Sequence, residues 1–225
     1  MAQVVESMRD RGVFASVDLH NNTGLNPHYA CVNRLDHRFL QLATLFSRVV
    51  VYFRTPRGVQ SNAFAELCPA VTLECGKPGQ AHGVEHALEY LEACLRLVDL
   101  PAHPVTERDI DLFHTVARVT VPDEASFSFG HSAADIALDA ELEQLNFREV
   151  PAGTEFGVVD PVSDARLLAY AEDGREIGGE FFEIREGRIL LTRPMMPSML
   201  TLDERVVRQD CLCYLMERLT VTDIA

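Results

Sequence analysis

The chain has 225 residues, 47% of them apolar, and a formal charge of −14. That length allows one or two domains with buried cores, and the acidity, relieved by no basic run, excludes a phosphate-backbone partner. No apolar run reaches the roughly 20 residues a membrane helix requires, so neither nucleic acid nor a membrane is an expected partner.

The acidity belongs to one half. Residues 1–104 carry 10 acidic and 9 basic side chains, whereas residues 105–225 carry 24 and 11, and we divide the chain into domains there. In the first, Val4, Val5 and Met8 fall at helical spacing, and Gly12 is a plausible stop. Residues 13–19 form an apolar strand that breaks at His20 into a polar corner. Residues 21–36 read as a connection with turns at Gly24 and Asn26-Pro27. A helix is expected over 37–48, a buried parallel strand over the β-branched run 49–53, another strand over 70–75 and a helix over about 82–98. This succession is the pattern of an α/β fold, a parallel sheet layered with helices.

Beyond Pro101 and Pro104 the texture changes. A partly alternating strand over 113–121 is followed by a short helix or irregular turn over 138–147. Brief apolar runs then recur at 156–159, 166–171, 180–184 and 188–192, separated by Asp160-Pro161, Asp173-Gly174 and Glu186-Gly187. This half reads as a smaller C-terminal β domain closing on a helix within 203–219. The six cysteines lack C-x-x-C spacing and lie mostly in apolar runs, which suits free thiols in a reducing compartment. With no secretory signal at the amino terminus, the expected location is cytoplasmic.

Two strand ends carry chemistry. The carboxyl ends of strands in an open α/β sheet form the crevice where ligands collect, and His20 and Glu74 each sit at one, facing a single site. Asp18 shares a strand face with His20 and is either an orienting carboxylate for a ligating imidazole or a cap on neighbouring backbone. Glu74 ends an apolar strand, so its carboxylate lies in a cleft or is paired. It is either a general base or a capping or salt-bridged residue. His82-Gly83-Val84-Glu85-His86 matches H-x-x-E-H formally, although Gly83 weakens the turn and a helix amino end disfavours a dication. The alternative is the first turn of an amphipathic helix. Arg54, Arg57 and Lys77 are cations placed near the same sheet edge, suited to a substrate carboxylate or left solvated.

Asp18-Leu19-His20-Asn21-Asn22-Thr23, followed some fifty residues later by Thr72-Leu73-Glu74-Cys75-Gly76, resembles the succinylglutamate desuccinylase and aspartoacylase family of zinc-dependent deacylases, relatives of the metallocarboxypeptidases. Pro151-Ala152-Gly153 before an apolar strand is similar to that family's carboxy-terminal β domain. The resemblance implies a partial metallocarboxypeptidase-like sheet, zinc as cofactor, His20 as a metal ligand and Glu74 as the base acting on metal-bound water. It implies hydrolysis of a small N-acyl amino acid or similar amide, with Asn21 and Thr23 orienting substrate. The family's other zinc ligands come from an H-x-x-E motif upstream of D-L-H, and no histidine precedes His20 here. Three explanations compete: a truncated chain, a catalytically silent member acting as a binding or assembly protein, or replacement of the lost ligands by His82 and Glu85. Loss of the first strands would expose apolar sheet and favour homo-oligomer formation.

Overall fold

A computed structural model describes residues 2–56, 58–130 and 133–220, and Arg57 lies outside the described residues. The chain divides into two compact units. One comprises Met1–Asn22, Pro27–Thr115 and Arg218–Ala225; the other comprises Thr23–Asn26 and Val116–Glu217. Each has its own mixed or antiparallel β structure, with helices concentrated in the first, so the α/β class and the smaller carboxy-terminal β domain stand.

In chain order the first unit contains α1 (Ala2–Met8), β1 (Ser16–His20), β2 (Tyr29–Val32), α2 (His37–Thr44), β3 (Val49–Tyr52), α3 (Gln60–Phe64), β4 (Ala70–Glu74), α4 (Ala81–Leu95) and the start of β5 (Asp111–Thr120). Its strands hydrogen-bond in the order β1-β4-β2-β3-β5. Strand β1 is parallel to β4 with Ser16 opposite Ala70 and His20 opposite Glu74. Because β4 and β2 are antiparallel while β2 and β3 are parallel, β3 runs opposite to β1 and β4.

Strand β2 corrects the reading of 21–36 as a single connection. Its four residues, Tyr29 to Val32, are all buried, but an apolar run that short, set among Asn, Pro and Gly, carries no periodicity of its own. What makes it a strand is the pair of sheet edges it fills, exchanging backbone bonds with β4 and β3. The core of this unit gathers Leu40, Leu42, Val50, Leu73 and Leu112, each no more than 1% exposed, at roughly 1.5–3 kcal/mol per fully buried aliphatic side chain. Asp36 starts α2 by accepting a hydrogen bond from the Arg38 backbone N–H, as an amino-terminal cap does.

Gly83 in α4 has a tertiary reason. A Cβ built there falls 2.1 Å from the Cys75 carbonyl oxygen, so only glycine lets the first turn of this helix lie against the end of β4.

The second unit holds the rest of β5, then β6 (Phe127–Phe129), β7 (Ile136–Leu138), β8 (Glu155–Val159), β9 (Leu168–Tyr170), α5 (Gly178–Phe181), β10 (Phe182–Arg185), β11 (Arg188–Leu191), β12 (Met196–Ser198), α6 (Glu204–Gln209) and β13 (Cys213–Leu219) as far as Glu217. Five of these strands form a sheet in the order β10-β11-β8-β7-β6. Two expectations are corrected here. The run 180–184 begins with the single turn α5 before β10. The terminal helix stops at Gln209, and Cys213–Leu219 is a strand, antiparallel to β12 with Leu215 opposite Pro197. Cys213, Leu215 and Met216 are all fully buried, and such a run reads equally well as helix or strand until its neighbours are known.

Candidate functional site

The parallel register of β1 and β4 sets His20 beside Glu74. The chain stays in step beyond both strands: the Cys75 N–H donates to the His20 carbonyl at 2.9 Å, and the Asn22 N–H donates to the Gly76 carbonyl at 3.1 Å. The Asn21 side-chain amide donates to that same Gly76 oxygen at 3.1 Å. These bonds hold the two corners rigidly against each other, which is the support a reactive side chain needs.

Asp18, His20 and Asn22 share the parity of the strand and lie on one face. The His20 ring is half-exposed. Its Nε2 is 3.1 Å from Asp18 Oδ2, facing a carboxylate that can only accept when ionised. Nδ1 lies 3.9 Å from Glu74 Oε1, with 48% of the His20 side chain exposed against 8% for Glu74. The second carboxylate oxygen, Oε2, accepts a 3.1 Å hydrogen bond from Asn22 Nδ2. Burial pushes the Glu74 carboxyl above the usual glutamate range and Asp18 adds to this, while the Asn22 amide and His20 pull it back. A carboxylate placed this way is a stronger base than one in water.

The structure brings together His20, Asp18, Glu74 and Asn21 of the residues singled out in the sequence. It does not bring Arg54. The β3 strand runs the other way, and Val32 and Tyr52 are partners at the end of the sheet away from the Tyr29 and Glu74 pair. That is a displacement of roughly 10 Å for three residues of strand, and Arg54 lies further along, so the placing of Arg54 beside Glu74 is corrected. Thr23 belongs to the second unit, where its hydroxyl is 2.7 Å from that of Thr201. Glu85 is exposed, and the His82 ring stacks on His28 with centroids 5.3 Å apart.

Two residues of this region escaped the sequence reading. Asn22 was discoverable, because it sits two residues beyond His20 on an extended chain and so returns to the same face. His28 was not. Its Nδ1 lies 2.7 Å from His86 Nδ1, a separation that fits one shared proton and is too short for two ligands of one ion at about 2.0–2.1 Å each. Among the described residues no three His, Cys, Asp or Glu side chains are arranged to hold a metal ion. A catalytic zinc takes three protein ligands and keeps a fourth position open, so the donor set around His20 does not fit one.

No protein-family model matches the chain, and no curated protein matches it in sequence. Solved structures do match in fold. Murine aminoacylase 3 superposes with a TM-score of 0.51 at 11% identity, over 96% of this chain and 68% of that one. A succinylglutamate desuccinylase/aspartoacylase from Rhodobacter sphaeroides gives 0.53 at 16% identity over 92% and 58%. The succinylglutamate desuccinylase from Vibrio parahaemolyticus gives 0.53 at 14% over 97% and 58%. This chain thus spans between 58% and 68% of the length of those proteins. It has the fold of the aminoacylase, aspartoacylase and succinylglutamate desuccinylase proteins, the deacylases that its D-L-H and L-E-C-G motifs resemble.

Proposed function

We propose that the chain is a deacylase that hydrolyses a small N-acyl amino acid or a similar amide. The supporting observation is the pairing of a buried, base-strengthened carboxylate with an oriented imidazole at adjacent strand ends, in a fold shared with solved deacylases. In this reading a water molecule bridges the 3.9 Å gap, donating to Glu74 Oε1 and to His20 Nδ1. Glu74 takes the water proton as the oxygen attacks the amide carbonyl. It then passes that proton to the leaving nitrogen, and the C–N bond breaks to an amine and a carboxylic acid, which loses its remaining proton to solvent. Asp18 keeps the proton on His20 Nε2 and the lone pair of Nδ1 facing the water. Asn21 holds the corner through Gly76.

Zinc is the cofactor the resemblance implies, with His20 as one ligand. The described residues do not complete its coordination, and that shortfall favours a second reading in which the protein is a catalytically silent binding or assembly protein.

The test is release of free amine from a panel of N-succinyl and N-acetyl amino acids by the purified chain, with and without added Zn²⁺. Turnover that Glu74→Gln abolishes is the expected result. If no member of the panel is cleaved under either condition, the hydrolase reading fails for this chain.

A further inference from the structure

We propose that Asn22 is the positioning residue of the base: it fixes Glu74 through Oε2 so that Oε1 alone is presented to the reacting water. This rests on the deacylase reading above. Asn22 is 5% exposed and Glu74 6%, and a carboxylate buried without a partner swings or protonates rather than remain a bare anion. Asn22 Nδ2 supplies a partner at 3.1 Å and can do nothing else to it, because an amide N–H donates but takes no proton. The two oxygens therefore have separate tasks. Oε2 is occupied by the amide, and Oε1 lies toward His20. The amide itself does not drift, since the Asn22 backbone N–H is tied to the Gly76 carbonyl two residues beyond Glu74. One short segment thus carries the imidazole and the hook for the base, and the ladder between the corners sets the spacing of both.

A side chain that only satisfied a buried acid would affect stability when removed and leave catalysis alone. Positioning predicts a different pattern. On the substrate found in the panel, Asn22→Ala lowers kcat by about 10²-fold, the effect of a misplaced group, with KM within about twofold of wild type. Glu74→Asp draws the carboxylate back out of reach of the amide, so adding Asn22→Ala to Glu74→Asp costs little further rate. An Asn22→Ala enzyme with kcat within threefold of wild type, well below its melting temperature, overturns the proposal. So does the same loss of kcat on both backgrounds.

If the wild-type chain cleaves nothing, it is the deacylase reading that has failed. A crystal structure of Asn22→Ala then decides the positioning: a Glu74 carboxylate rotated away from His20 supports it, and one that keeps its place overturns it.

Discussion

Glu74 keeps a carboxylate where solvent hardly reaches, and the surroundings only partly compensate. Burial raises its pKa above the ordinary 4.5, so folding favours the protonated side chain. That contribution is complete below the unfolded value and is lost as pH rises through the folded one, where the buried group has to ionise. Glu74→Gln keeps an acceptor for the Asn22 amide and is neutral at every pH. We expect the variant to melt higher than wild type at pH 7, by a gain on the order of 1 kcal/mol or roughly 2–4 °C, and to match it near pH 4. Parallel melting curves across that range would refute the account. His20 and Glu74 were legible in the sequence because each ends an apolar run abruptly, and a charged or imidazole group there has few places to go other than a crevice. Arg54 was misplaced because its position depends on the direction of β3, which nothing in residues 49–57 encodes.

The elements depend on one another in the same way. Strand β2 carries no signal of its own, yet it reverses the direction of the sheet and delivers His28 to α4. There the His28 and His86 rings share a proton across 2.7 Å, and Phe46 stacks on His86 with centroids 4.1 Å apart. Burial, then His86, then His82 hold the His28 imidazole below its ordinary 6.5. Its neutral form is the one the fold accommodates, so this stability is full above the ordinary value and declines as pH falls through the lowered one. His28→Phe keeps a ring in the stack and removes the titration. Between pH 6.5 and 5 the wild type should lose stability relative to this variant, read as a narrowing gap in urea midpoints, and a constant gap would count against it. Helix α2 and strands β1, β3 and β4 were legible because their apolar spacing is periodic or β-branched and long enough to register. Strand β13 was misread because a run buried on both faces has no period to distinguish helix from strand.

At the scale of the molecule, the two units have separate hydrophobic cores, one around Leu40, Leu73 and Leu112 and one around Phe156, Ile189 and Leu215, and they carry very different charge. The second unit, residues 23–26 and 116–217, has 20 acidic side chains against 9 basic. Several of those arginines are already paired, Arg193 with Glu217 at 2.7 Å and Arg175 with Asp173 at 2.7 Å, so the remaining carboxylates repel one another across the surface. Raising NaCl from about 0.02 M to about 0.5 M shortens screening to about 4 Å. Hydrogen exchange should then slow in the second core more than in the first, and an equal response in both would show that self-repulsion is not a factor.

The sequence by itself determined the class of fold, the carboxyl-end corners with their histidine and glutamate, and the acidity of the second half, because periodicity, composition and residue chemistry are local properties. Only the tertiary structure decided which strands run in reverse, that 213–219 is a strand, that Asn22 holds Glu74, and that His28 pairs with His86. Each of those depends on which backbone or side chain arrives from a distant part of the chain, and the spacing of nearby residues carries no record of that arrival.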